Sequence, residues 1–564
     1  MKRIFFISSL LCSLSSGAQN LIPIPDTLSG TNFNLNIHPD SVQFLPGRKT
    51  YTNAFNQYSY LGPTLIFNKW DSVALNVLNT LPDTSTVHWH GVHVPAIADG
   101  GPQVIVLSGN TWSPGYRVLN NASTFWYHPH THMKTGQQAM RGAAGFIIVR
   151  DSTEASLNLP RTYGVDDFPI AIQSQQFDSL NQIDWRGMRD SILLVNGTID
   201  HMLNIPAQVV RLRLLNGSQE RNFNFGFTSN KSFYVIGNDG GLLTSPVPVT
   251  RIRLSPGERA EILLDVSGMN GQNLYLMSYA SEFPQGVQGG IPMPGMGNTM
   301  DSPLNGVDFN ILKLNIVGST SNPITTIPSF LVPNSPWQEA SANATRNIII
   351  TAQNMMSMDG PFYFNGLLYD MNRIDYQIPL NNIEIWSITN QTMVAHPFHI
   401  HNVQFFILDR DGITPAPEER GSKDVVMIAP NETVRFITKF EDYADTAMPY
   451  MYHCHILMHE DDGMMGQFVV VSPTTGLNDL STSQSLYVYP NPNSNGELTI
   501  KLGNVENQNA NLSMFNTLGE ELVLPIEHQG KGLLKGNLSG YPTGIYFLKI
   551  VTDKQILTRE IIIQ

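Results

Sequence analysis

Four short stretches concentrate histidine at spacings that suit metal ligation. They are His88-Trp-His90-Gly-Val-His93, His128-Pro-His130-Thr-His132, His396-Pro-Phe-His399-Ile-His401, and the run from Tyr452 to Met464, Tyr-His-Cys-His-Ile-Leu-Met-His-Glu-Asp-Asp-Gly-Met. Successive side chains of an extended segment point to opposite faces, so both rings of a His-x-His pair share one face. In the last stretch His453 and His455 then point one way and the Cys454 thiolate the other. Four such pairs brought together place His88, His90, His128, His130, His399, His401, His453 and His455 around one pocket. That is more than one ion can use, and enough for a small copper cluster with positions open to oxygen. His396 stands three residues before His399, with Pro397 between them, and is free to face the thiolate side with Cys454, His459 and Met464. Two His, one Cys and a weak Met form the ligand set of an electron-transfer copper. The competing reading is a zinc site, but structural zinc prefers pairs such as Cys-x2-Cys.

Only 2 cysteines occur in the 564 residues, Cys12 and Cys454. Lys2-Arg3, the apolar run Ile4 to Leu14 and Ser15-Ser16-Gly17-Ala18 have the three parts of a secretory signal peptide, expected to span residues 1–18 and to remove Cys12. The mature chain then cannot form an internal disulfide, although export would allow one. A lone thiol in an oxidising compartment is a liability unless a metal occupies it. The signal has no Arg-Arg pair, which favours export of an unfolded chain and copper uptake outside the cytoplasm. A formal net charge of −13 argues against nucleic acid or an anionic membrane surface as partner. No later run of apolar residues is long enough to span a membrane.

The elements that must hold these groups read as short strands. Asp71-Ser-Val-Ala-Leu-Asn-Val-Leu-Asn79, Val209 to Leu215 and Val434-Arg-Phe-Ile437 alternate, with Gly, Pro and Asn between segments, and charged residues are sparse at 14%. This pattern predicts an all-β chain of sandwiches. An internal repeat divides the body into three. Each third has a strand ending in asparagine, Asn79, Asn216 or Asn390. At the same two offsets beyond it come His88 and His90 in the first third and His399 and His401 in the last, but Phe225 and Phe227 in the middle. A turn before a strand recurs as Ser113-Pro-Gly115, Ser255-Pro-Gly257 and Ala429-Pro-Asn431; histidine pairs follow it in the outer thirds and Leu274-Tyr-Leu-Met277 in the middle. The expected segments are 19–155, 156–325 and 326–473, then a polar linker over 474–485 and a small β-unit over 486–564.

The four histidine motifs resemble those of three-domain multicopper oxidases, the group that includes laccases, bacterial cuprous oxidases and spore-coat laccase. The likeness runs from about Asn32 to Pro473, and Asp166-Asp-Phe-Pro169 and Arg211 to Asn216 match the ligand-free second domain. The resemblance implies three cupredoxin-like Greek-key sandwiches and four copper ions. Type 1 copper would take His396, Cys454, His459 and Met464; type 2 copper His88 and His399; and the type 3 pair His90, His128, His130, His401, His453 and His455. It also implies proton-relay roles for Asp99 and Glu460, although Asp99 before Gly100-Gly101 also suits a simple turn. His93 and His132 lie beside ligands without being expected to bind. The implied reaction oxidises a small reducing substrate, a phenol, an aromatic amine or a metal ion such as Cu(I), and reduces O2 to water. The alternative is a copper-tolerance protein whose main role is Cu(I) oxidation or sequestration. Met residues at 293–300 and 355–358 could serve Cu(I), or could fill loops and core. Against a cuprous oxidase, the long Met-rich insertion is missing and Thr392 stands where an acid is expected. A monomer is expected, because the first and third domains of one chain can form the cluster together.

Leu486-Tyr-Val-Tyr-Pro-Asn-Pro-Asn493 and Gly544-Ile-Tyr-Phe-Leu-Lys-Ile550 make the last unit resemble the C-terminal sorting domain of type IX secretion. That implies the secretion machinery as a partner, and passage through the periplasm to the outer-membrane surface or the medium.

Overall fold

The computed structural model describes residues 19–187, 189–292, 302–354, 360–472, 486–502, 511–530, 533–551 and 556–564. The expected signal peptide, the linker and both Met-rich segments lie outside these residues. The regular structure of the described chain is nearly all strand, and the chain divides into two units, Met1–Ser472 and Pro473–Gln564.

The body holds three two-sheet sandwiches. In the first, Asn32–Val42 pairs in parallel with Ser72–Asn79, and the facing sheet runs Thr27–Ser29, Thr64–Asn68, Gly145–Arg150, Ser123–His128, His88–His90. The third repeats this plan, with Tyr376–Pro379, Met465–Val471, Asp445–Cys454, His396–Ile400 and Val425–Ile428 in one sheet. In both, the histidine pairs lie on adjacent antiparallel strands in matching register: His128 stands opposite His88, and His453 opposite His399. Asn20–Leu21, which chain order assigns to the first sandwich, pairs instead with His201–Met202 in the middle one.

The repeated asparagines explain why one plan recurs. Asn79 Oδ1 accepts from Leu81 N while its Nδ2 donates to two carbonyls, those of Asp83 and Val106. Asn216 does the same with Ser218 N and the carbonyls of Arg221 and Leu254, and Asn390 with Thr392 N and the carbonyls of Val394 and Ile428. Each side chain satisfies backbone groups that a strand end would otherwise bury unpaired. Phe225 and Phe227 of the middle sandwich are fully buried and pack in its core with Phe223, Leu254 and Leu276.

The C-terminal unit is a smaller sandwich of two four-stranded sheets around Leu498, Ile500, Met514, Leu548, Ile550 and Ile561. No helix among the described residues is long and apolar enough to cross a membrane.

Candidate metal centre

The strand Asp445–Cys454 delivers its last residues to the junction of the first and third sandwiches, and the two faces of the chain there diverge. On one face Cys454 Sγ lies 3.6 Å from His396 Nδ1 and 3.6 Å from His459 Nδ1, all three buried. The short helix Leu457–Asp461 carries His459, and Met464 follows it. The Met464 carbonyl accepts the Cys454 N–H at 3.1 Å and the Met464 N–H donates to the His459 carbonyl at 2.8 Å, which ties the methionine to both residues. Phe362 packs against both imidazoles, with ring centroids 4.6 and 4.5 Å away. Burial pushes the Cys454 thiol up, so it surrenders its proton only to a cation bound in its place. Burial also drives His459 down to about 3 and lowers His396, so both rings are neutral at pH 7 with a lone pair to offer.

Thr392 fixes which nitrogen of His396 offers it. Its hydroxyl hydrogen has acceptors in Asn390 Oδ1 at 2.8 Å and the Val394 carbonyl at 3.0 Å. The hydroxyl oxygen therefore receives Nε2–H from His396 at 3.0 Å, and Nδ1 is left bare toward the sulfur.

On the other face the eight remaining imidazoles converge, buried and with lowered basicity wherever a shift is resolved. Desolvation is the leading cause, with mutual repulsion among the rings behind it. His90, His128 and His455 form one trio, and His130, His401 and His453 a second. His88 and His399 lie between the domains with Nε2 of each buried and without a hydrogen-bond partner among the described residues. Rings from the two domains interleave: His88 stacks on His401 and His90 on His399, each at 3.8 Å.

The outer nitrogens are held by acceptors. Nδ1 of His88, His128, His399 and His453 donates to the carbonyls of Asp99, Pro129, Asp424 and Cys454. His401 Nδ1 donates to Asp99 Oδ2 at 2.7 Å. With Nδ1 protonated, the inner Nε2 atoms are bare lone pairs, yet His401 and His453 bring theirs to 3.3 Å. His130 Nε2 also lies 3.2 Å from His453 Nε2. Facing lone pairs at that range repel unless a cation lies between them. Together with the orphaned nitrogens, this donor set fits bound copper.

Both expected acids are buried here. Asp99 bridges His88 and His401, and its Oδ1 has no hydrogen-bond partner among the described residues. Glu460 sets its carboxylate 3.4 Å from His130 Nδ1 and 3.2 Å from His453 Nδ1. Burial, with Asp461 adjacent, raises its pKa well above the usual carboxylate range and so favours the protonated form. His93 joins the domains by bonding the Asn402 carbonyl and Asp442, and His132 packs 5.2 Å from Tyr369; neither joins the cluster.

Asp424 and Arg259 were not legible as site residues. Asp424 Oδ1 lies 3.2 Å from His90 Nε2, while Arg259 grips both carboxylate oxygens at 2.6 Å. The available signal was indirect: Arg259 and Glu261 flank Ala260 at the start of a strand, Arg259–Asp265, that continues as Ile-Leu-Leu.

Comparison with known proteins agrees with this geometry. Three multicopper oxidase family models match residues 36–154, 170–292 and 340–474, and a secretion system C-terminal sorting domain matches 487–564. "Multicopper oxidase mco" of Staphylococcus haemolyticus is 32% identical over 451 residues, covering 78% of this chain and 89% of that protein. "Cell division protein FtsP" of Escherichia coli is 30% identical, covering 81% and 94%. Among solved structures, a laccase-like CueO from Ochrobactrum sp., described as an oxidase of lignin model compounds and lignosulfonate, superposes with a TM-score of 0.70 at 30% identity, covering 80% of this chain and all of that one. With all three sandwiches matched and relatives of this similarity aligned along most of their length, the chain belongs to the multicopper oxidase family.

Proposed function

We propose that this multicopper oxidase holds type 1 copper with His396, Cys454, His459 and Met464, type 2 copper with His88 and His399, and a type 3 pair with the two trios of the cluster. The single observation that carries this is the convergence of bare imidazole nitrogens on one face of His453-Cys454-His455, with the sulfur and two further imidazoles on the other. Bound there, copper supplies one-electron oxidation of a small donor on the sulfur side and reduction of O2 to water on the imidazole side.

The chain's own groups do the rest. Cys454 is bonded through backbone to His453 and His455, one in each trio, so electrons leaving the sulfur have a covalent route to either. Cys454 is buried in one apolar cluster with Phe362, Ile456 and Met464, which excludes water and limits reorganisation when charge changes. Glu460 holds a proton beside His130 and His453, where oxygen reduction consumes it. Asp99 offers a second carboxylate across the cluster.

The neighbour that oxidises lignin model compounds favours a phenolic or aromatic donor; Cu(I) and other metal ions are the rival class. The C-terminal sorting domain supports export through secretion machinery to the surface or medium. The first and third domains build the cluster within one chain, which suits a monomer. The test is oxygen uptake by copper-loaded protein with Cu(I), Fe(II), Mn(II), phenols and bilirubin. Blue protein with a near-ultraviolet band and phenol-dependent uptake is expected; uptake with Cu(I) alone would select the copper-tolerance reading, and colourless holoprotein would overturn the assignment.

A further inference from the structure

The middle sandwich contributes no candidate ligand, yet it reaches the cluster. Arg259 begins its strand Arg259–Asp265 and is fully buried. Its guanidinium touches all three sandwiches. Nε donates to the Thr124 carbonyl of the first at 3.0 Å. Nη1 and Nη2 donate to the Gly257 and Asp239 carbonyls of the middle one, each at 3.0 Å. The same two nitrogens take Asp424 Oδ1 and Oδ2 of the third, both at 2.6 Å. A planar fork meeting a carboxylate with both prongs fixes its orientation as a point charge cannot.

The chain around this pair is cut to fit it. A Cβ on Gly91, directly after His90 and at φ +81°, would come within 2.2 Å of Asp424 Oδ2 and 2.9 Å of Arg259 Nη2. A Cβ on Gly257 would fall 2.9 Å from the His455 ring. The middle domain therefore presses backbone and guanidinium against one trio, His90, His128 and His455.

Within that trio His90 is turned the other way. Its Nε2 faces Asp424 Oδ1 at 3.2 Å, and its Nδ1 faces His128 Nε2 at 3.3 Å. His88, His128, His399, His401 and His453 all spend Nδ1 on an outer acceptor and leave Nε2 inward. We infer that Arg259 is a positioning residue for the cluster: it holds Asp424 so that the carboxylate takes Nε2–H of His90 and leaves Nδ1 as the metal-binding nitrogen. Asp424 also steadies His399 through its carbonyl, so one clamp from the ligand-free domain orients ligands of both outer domains.

This inference rests on the proposed copper assignment, and its test separates the two. Copper content, the near-ultraviolet band and the blue absorption are measured for wild type, Arg259→Lys, Asp424→Asn and Arg213→Lys. Arg213 is an equally buried arginine of the same sheet, paired with Asp167 and Glu261 and bonded to the Thr124 hydroxyl rather than to Asp424. Arg259→Lys and Asp424→Asn should keep the blue colour, lose the near-ultraviolet band and bind cluster copper about 10- to 100-fold more weakly. Arg213→Lys should keep both signals. Loss of blue and near-ultraviolet absorption together in Arg259→Lys, or equal loss of the band in Arg213→Lys, would make the role merely architectural and overturn the inference. A band that survives both Arg259→Lys and Asp424→Asn overturns it as well. A wild-type protein without the band would sink the copper assignment, and this inference with it.

Discussion

The two faces of the segment His453-Cys454-His455 differ in what surrounds them. The sulfur shares a buried apolar cluster with Phe362, Phe398, Ile456 and Met464, and the Thr392 hydroxyl bonds His396 Nε2, the ring nitrogen other than the one nearest the sulfur. Around the eight imidazoles stand three buried carboxylates, those of Asp99, Asp424 and Glu460, each against a ring nitrogen. A site that exchanges single electrons needs no proton partner and profits from dryness. A site that turns O2 into water must be fed protons. The polarity of each face therefore follows the chemistry proposed for it, although both hang on one stretch of backbone.

The contrast breaks most completely at the shared sulfur. Cys454→Ser should abolish the blue colour and reduce oxygen uptake to background while leaving the cluster's near-ultraviolet band, because no imidazole of the cluster depends on the sulfur for its position. Absorption spectra with copper analysis check this; a variant that stays blue would show that Cys454 is not the electron-transfer ligand.

A smaller but sharper break lies on the imidazole face. Glu460→Gln should slow oxygen uptake by about 100-fold, the usual contribution of a placed acid, without slowing reduction of the blue copper by a donor. The pH dependence gives the sign. The pKa of Glu460 is raised above the ordinary carboxylate range, so its proton-bearing form persists to higher pH than an ordinary carboxyl's and uptake falls as pH rises through its titration. The glutamine variant should lose that alkaline limb. An unchanged limb in stopped-flow and oxygen-electrode profiles would exclude Glu460 as the proton source.

Both faces carry a pH signature in metal-free protein, because burial lowers the pKa of His396 and seven cluster imidazoles along with that of His459. His459 titrates near 3 when folded and near its ordinary 6.5 when unfolded. Below 6.5 the unfolded chain takes up a proton that the native chain refuses, so stability present above 6.5 is lost as pH falls toward 3. That one ring accounts for a loss on the order of 5 kcal/mol. Thermal melts between pH 7 and 4 should show a steep fall without copper and a shallower one with it, since bound copper keeps the lone pair engaged. Parallel curves would contradict the proposal that bound copper engages these buried imidazoles, and His459→Ala should remove His459's own share of the acid loss from the metal-free curve.

Much of this was readable before any coordinates. The His-x-His spacing and Cys454 single out the candidate ligands because strand periodicity is local, and the asparagine offsets reveal the threefold plan because each Asn cage closes within its own sandwich. What escaped was contact between distant segments. Asp424 carries no motif, and its meaning comes from His90 and Arg259, which lie 334 and 165 positions away. Asn20–Leu21 likewise looks like the start of the first domain until its strand partner in the middle one is known. Asp99 and Glu460 were reached through family likeness; neither their burial nor the orphaned Asp99 Oδ1 is written in the local sequence.

The finest difference between the faces is the Thr392 hydroxyl, the polar counterpart on the sulfur side of the carboxylates on the other. An acceptor on the outer N–H of a ligating imidazole makes the ring a better donor to an oxidised metal. Thr392→Val removes that acceptor from His396 Nε2 and preserves the side chain's shape. It should cost about 1 kcal/mol of stability for the unpaired N–H and raise the potential of the blue copper by a few tens of millivolts, since about 59 mV corresponds to a tenfold change for one electron. Met464→Leu, which removes a weak thioether donor outright, should move the potential the same way and further. Spectroelectrochemical titration of both variants ranks them. A lowered potential in the valine variant would mean that the hydroxyl does not receive the His396 N–H, and would undo the choice of Nδ1 as the nitrogen turned toward the sulfur.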